Sequence, residues 1–126
     1  MKSENELATI IVDLCFQIHC DLGPGLLESV YERVLEKCLS DKGLSVERQK
    51  AILITFNDMV FDEGFRADLI VENKLLLELK SVEYLKPVHF KQVLTYIKLM
   101  DLNLGLLLNF GDKLMKDGIK RVANGI

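Results

Sequence analysis

At 126 residues, with 49% hydrophobic and 28% charged side chains, the chain fits one domain that buries about two-thirds of its unfolded surface, and its composition is that of an ordinary soluble globular protein. It opens with Met-Lys-Ser-Glu-Asn-Glu and has no apolar run near the roughly 20 residues of a membrane span, so a cytoplasmic protein without membrane contact is expected. A net charge of −3 lacks the basic footprint of duplex-binding domains, so contact with nucleic acid would have to rest on a local cluster of basic residues.

The residues first predict a helix from about Glu4 to about Cys20. Ser3 and Glu6 stand at capping-box spacing, and Leu7, Ile10, Ile11, Leu14 and Ile18 recur with helical period. His19 falls near its end and is expected to pack there or close the helix, not to ligate. Asp21 to Gly25 contains two glycines and Pro24 and breaks the helix. A second helix follows, with Val30, Val34, Leu35, Cys38 and Leu39 as its apolar stripe, and stops at Gly43. Glu28 and Tyr31 share a face of its first turn. The helix dipole alone accounts for a glutamate there; the functional account is a carboxylate aimed at a metal on neighbouring strands. Cys15, Cys20 and Cys38 have no Cys-x-x-Cys spacing and read as reduced core residues, neither a disulfide framework nor a zinc site.

From Leu44 the pattern turns to strands. Leu44 to Gln49 and Ala51 to Phe56 read as two strands or one bent one, Asn57-Asp58 as a turn, and Met59 to Phe61 as a meander continuing into a hairpin from Phe65 to Lys80. With a loop of about three residues at Glu72, Asn73 and Lys74, Val71 pairs with Leu75, Asp68 stands opposite Glu78 and Arg66 opposite Lys80. Alternation then projects all four charged side chains from one face. Opposed carboxylates repel unless positive charge lies between them, and Lys80 or a divalent metal would supply it. The bland account is a solvated charge ladder. Against it, Leu69, Ile70, Val71, Leu75, Leu76, Leu77 and Leu79 fill both faces, which favours a site at the end of strands covered on both sides.

Past Lys80, Pro87 suits the first turn of a third helix whose apolar side is Phe90, Val93, Leu94, Ile97 and Met100. His89, Gln92 and Tyr96 form a polar stripe on one flank. Leu104 to Phe110 reads as a buried strand and Gly118 to Val122 as a short final strand or extended tail. A strand, a crossover helix and a following strand imply a right-handed parallel connection, hence a mixed sheet and an α/β or α+β fold.

The ordered set of residues resembles a known family. Asp68, Glu78-Leu79-Lys80, Glu28 on a preceding helix and Gln92 on the following one look like the PD-(D/E)XK nuclease superfamily, whose core is a restriction-endonuclease-like αβββαβ fold; here an extra N-terminal helix precedes it. Gly25 to Tyr31 matches the Gly-x-x-Glu-x-x-Tyr signature of the small bacterial GxxExxY proteins, and Val88 to Leu94, Leu107 to Gly111 and Gly118 to Val122 also look like that family. Ala67 stands where the superfamily name places proline, which leaves the carboxylate in place.

The resemblance implies a Mg²⁺-dependent nuclease acting on DNA, with Mn²⁺ as a substitute ion. Asp68, Glu78 and the Leu79 carbonyl would bind the ion, with Glu28 as a further ligand, direct or through water. Lys80 would position or deprotonate the attacking water, and Gln92 would orient water or substrate. Tyr31, Arg66, His89 and Tyr96 would face the substrate, Tyr96 alternatively packing under the site. Lys80, Lys86, Lys91 and Lys98 could form the local basic cluster, with ordinary helix solvation as the other account of Lys91 and Lys98. The alternative is a non-catalytic metal- or nucleic-acid-binding module that acts through a partner protein or as a homodimer.

Overall fold

The computed structural model describes residues 1–125. Helix α1 runs Glu4–Leu22, and Ser3 caps it: the Ser3 hydroxyl accepts from the Glu6 N–H at 3.2 Å while the Glu6 carboxylate accepts from the Ser3 N–H at 3.1 Å. Gly23, at φ 71°, ends it by donating its N–H to the His19 carbonyl. Helix α2 runs Glu28–Asp41 and buries Tyr31, Leu35 and Leu39; Val30, expected inside, is exposed, and the stripe passes through Tyr31 instead.

Strands β1 (Val46–Ala51), β4 (Arg66–Val71), β5 (Leu75–Lys80), β6 (Leu104–Asn109) and β7 (Ile119–Ala123) form one sheet in the order β1-β4-β5-β6-β7. Helix α3 (Pro87–Leu99) carries the chain from β5 to β6, the one parallel pair, and a short 3₁₀ turn at Met115–Gly118 leads into β7. The sheet is therefore mixed, as expected. The meander is not. Strands β2 (Ile54–Phe56) and β3 (Met59–Phe61) pair only with each other, and β1 closes directly on β4. Asn57 and Asp58, both left-handed, form the tight turn of the β2–β3 hairpin, which lies outside the main sheet with Phe56, Met59 and Val60 exposed.

Two cores lie on opposite faces of the sheet. One joins Leu69, Val71, Leu75, Leu77 and Leu79 to Leu7, Ile11, Leu14, Tyr31 and Leu35 of α1 and α2. The other joins Ile70, Leu76 and Leu107 to Val93, Tyr96 and Ile97 of α3. This two-sided cover explains why the central strands read as near-continuous apolar runs. Helix α3 sits close because β6 carries Gly105: a Cβ there would lie 2.7 Å from Val93 Cγ1. Cys15 is buried in the core and Cys38, half-buried, packs against it, but Cys20 is exposed, so core placement fails for Cys20. Among the described residues no helix is long and apolar enough to cross a membrane.

Candidate active site

The β4–β5 hairpin has the register its sequence implies. Glu72 and Asn73 are left-handed, the Lys74 N–H closes on the Val71 carbonyl at 3.0 Å, and the ladder runs Val71↔Leu75, Ile70↔Leu76 and Leu69↔Leu77. One step further, where Asp68 faces Glu78, side chains replace the backbone pairing. The Asp68 N–H donates to Glu78 Oε1 at 3.4 Å, and the Leu79 N–H donates to Asp68 Oδ2 at 2.9 Å. The two carboxyl groups thus meet where the ladder ends; Ala67 packs with Ile70 and Leu76 towards α3, so strict alternation breaks at Asp68, which opens onto the cleft beside α2 instead of sharing that row as expected.

Glu78 is only 3% exposed. Burial, then the charge of Asp68, then a hydrogen bond between the two carboxyl groups push its pKa up to about 9, while the charge of Lys80 pulls weakly the other way. At neutral pH Glu78 therefore holds a proton. A divalent cation would replace that proton and relieve the repulsion, and oxygen donors on Asp68 and Glu78 suit a hard ion. Among the described residues no group of three or more His, Cys, Asp or Glu gathers as a metal cluster. Two carboxylates therefore fit an ion that keeps several waters, as Mg²⁺ does, better than a fully protein-ligated one.

The remaining expected residues gather unevenly around this pair. Lys80 follows on β5, forms no ion pair within 4.0 Å among the described residues, and its charge is felt at both Glu78 and His89. Glu28 opens α2 and accepts the Ser81 N–H at 3.3 Å, which ties the helix start to the end of β5. Gln92 donates to the Tyr96 hydroxyl at 2.9 Å. Tyr96 is 4% exposed, so it packs under the site; burial and then the charge of Glu78 raise its pKa. His89 accepts the Lys86 N–H on Nδ1 at 3.0 Å, and burial followed by the charges of Lys80 and Lys86 lower its pKa, which keeps the ring neutral. Arg66 lies exposed at the start of β4 with its guanidinium 3.5 Å from the Gln49 carbonyl. Of the local basic cluster, Lys86, Lys91 and Lys98 are exposed on α3 and at its cap.

Tyr31 does not face a substrate. It is fully buried and stacked on Phe110 with ring centroids 4.4 Å apart. Its hydroxyl donates to the Gly23 carbonyl at 2.5 Å and accepts the Leu26 N–H at 3.2 Å. The Gly-x-x-Glu-x-x-Tyr spacing is explained by this geometry: Tyr31 pins the loop that delivers Glu28.

Several residues of the site carried no expectation. An open cleft of about 590 Å³ between α2 and the strand ends is lined by Leu26, Leu27, Glu28, Ser29, Glu32, Arg48, Gln49, Asp68 and Ser81. Glu32, one turn beyond Glu28, is 4% exposed and accepts from Arg48 Nε at 2.7 Å and Gln49 Nε2 at 2.9 Å. Its i, i+4 spacing from Glu28 was the available signal. Asn109 is fully buried at the end of β6. Its Oδ1 accepts the Val82 and Gly111 N–H groups, and its Nδ2 donates to the Val82 carbonyl and Asp112 Oδ2. This latch holds the segment just after Lys80, and Gly111 permits it, since a Cβ there would lie 2.3 Å from the Val82 carbonyl oxygen. A lone polar residue ending an apolar strand was the signal for Asn109.

A mixed sheet with helices on both faces, and an acidic pair followed by a lysine where two strands end, is a restriction-endonuclease-like arrangement. The chain belongs to the PD-(D/E)XK nuclease superfamily, whose family model matches residues 5–122. No curated protein shows a significant match. Among solved structures the chain is similar to the crystal structure of SSO0001, with a TM-score of 0.53 and 21% identity over 79% of this chain and 51% of that one. The chain thus spans about half the length of that structure, and the likeness concerns the fold.

Proposed function

We propose that the protein hydrolyses phosphodiester bonds of DNA with a divalent cation, Mg²⁺ or Mn²⁺, held by Asp68 and Glu78. The observation that carries this reading is the opposed carboxyl pair, held by backbone N–H groups at the end of the ladder and followed by Lys80. Superfamily membership supports nuclease chemistry. Asp68, Glu78 and the Leu79 carbonyl would hold the ion, with Glu28 across the cleft as a further ligand, direct or through water. When bound, the ion lowers the pKa of a coordinated water and stabilises charge developing on the phosphate.

The chain's own residues do the rest. The Lys80 ammonium, unpaired among the described residues, orients the attacking water, and its positive charge favours loss of that water's proton and offsets the charge of the phosphate. Gln92, steadied by the Tyr96 hydroxyl, presents its amide oxygen to water or substrate. His89, accepting on Nδ1, carries its proton on Nε2 and so offers a neutral donor beside Lys80. Lys86, Lys91 and Lys98 supply the local positive charge that the chain's total of −3 does not.

The test is cleavage of single-stranded and duplex DNA with Mg²⁺ or Mn²⁺ by the wild type and by Lys80→Ala, alongside a thermal melt with each ion. Cleavage lost by at least ~10²-fold in Lys80→Ala, with the melt unchanged, is the expected result. A melt that responds to metal without any cleavage replaces catalysis by a metal-holding binding module, and no response in either assay removes the site.

A further inference from the structure

Among the described residues six non-glycine residues have a positive φ, and five lie in turns: Asn57, Asp58, Glu72, Asn73 and Asp101. The sixth is Gln49, at φ 53° inside β1. A left-handed glutamine in a strand is strained, and such strain persists only where the surroundings hold it. No residue has been inserted to cause it. The β1–β4 register is the same on either side, Arg48↔Leu69 and Lys50↔Ala67, so the ladder skips only Gln49 and the residue opposite it, Asp68, and of these two Gln49 takes the left-handed backbone.

The turned residue uses its side chain. Gln49 Nε2 donates to Glu32 Oε1 at 2.9 Å and to Asp68 Oδ1 at 3.2 Å, one acceptor on α2 and one on β4. Glu32 is itself a fixed post, buried and gripped through the same oxygen by Arg48 Nε at 2.7 Å. Asp68 then has both oxygens engaged, Oδ1 by Gln49 and Oδ2 by the Leu79 N–H. Without the amide, one oxygen would be free and the carboxylate could swing about its Cβ–Cγ bond.

We propose that Gln49 is a positioning residue, strained so that its amide clamps Asp68 to Glu32 and sets the carboxylate in the orientation that receives the cation. The inference rests on the metal-dependent reading of the Asp68 and Glu78 pair. Groups that hydrogen-bond a metal ligand set its orientation, and their removal typically lowers metal affinity by about 10- to 100-fold.

The test uses Gln49→Gly, which accepts the left-handed backbone without the amide, and Gln49→Ala, which lacks the amide and keeps the strain. Each is titrated with Mg²⁺ and with Mn²⁺ while the melting temperature is followed, so the readout is ion binding and not turnover. The expected result is a midpoint at least ~10-fold higher in metal for both variants, with Gln49→Gly melting without metal at or above the wild type. Wild-type midpoints in both variants, in a protein that does respond to metal, would overturn the clamp and leave the nuclease reading standing. A higher midpoint accompanied by a metal-free melting temperature that falls equally in both would make Gln49 merely structural and would also overturn it. A wild type that does not respond to either ion would remove the metal site, and the clamp with it.

Discussion

Glu78 makes the metal-free protein sensitive to alkali, and Glu78→Gln should cure that at the expense of metal binding. Its folded pKa of about 9 stands against 4.5 for the free side chain. Between those values the native carboxyl holds a proton that the unfolded chain has released. The native state therefore binds more protons, and stability falls as pH rises, by about 1.4 kcal/mol per unit. From pH 6 to pH 8 this amounts to about 3 kcal/mol, or roughly 10 °C of melting temperature for a chain of this length. Glutamine cannot ionise, so the variant lacks this slope: its metal-free melting temperature stays near the wild type at pH 5 and exceeds it by several degrees at pH 8. Comparing the two proteins also separates Glu78 from His89, whose lowered pKa favours the native state as pH rises. Added Mg²⁺ should stabilise the wild type and leave Glu78→Gln unmoved. The assay is a melt from pH 5 to pH 8 in chelator and again in metal. Equal slopes for the two proteins in chelator would refute the buried-proton argument.

Asn109→Ala would strip partners from the Val82 N–H and carbonyl, the Gly111 N–H and Asp112, and should cost about 3 kcal/mol by denaturant melt; a loss under about 1 kcal/mol would mean that the latch is not structural. Gly105→Ala drives a methyl to within 2.7 Å of Val93 Cγ1 and should cost about 1–3 kcal/mol. Adding Val93→Ala should recover part of that cost, and a double variant no more stable than the simple sum would show that the clash lies elsewhere.

The hairpin at the centre of the site was legible because it is local. Loop length and strand alternation fix the pairs from Val71↔Leu75 to Leu69↔Leu77, and Asp68 meets Glu78 just beyond them through its N–H, whereas Arg66 and Lys80, expected to stand opposite each other, are outside that ladder. Helix limits and the parallel β5–β6 pair followed from capping, Pro87 and handedness. The β1–β4 pairing was not legible, since nothing in Ile54 to Phe61 says that a hairpin will step out of the sheet and let its neighbours close behind it. Nor did any residue type announce Gln49. A glutamine in a strand reads as solvent-facing, and its left-handed turn arises only from acceptors on α2 and β4 that the chain brings near in three dimensions. Tyr31 was misread for a related reason: a tyrosine beside a candidate ligand can face a substrate or brace a loop, and only its stack on Phe110 decides.

The parallel pairing of β5 with β6 has a consequence for the order in which the molecule is made. The carboxyl pair sits on a hairpin closed by a three-residue loop, a local contact that forms early, on the microsecond scale of about 1–10 μs. The Asn109 latch arrives only when β6, whose Leu104 pairs with Leu75, has been carried back by the whole of α3. Closing that long loop is the slower event. A partly folded chain would therefore hold the acidic pair yet lack the support behind Lys80. The arrangement behind Lys80 is thus complete only when β6 has closed the sheet.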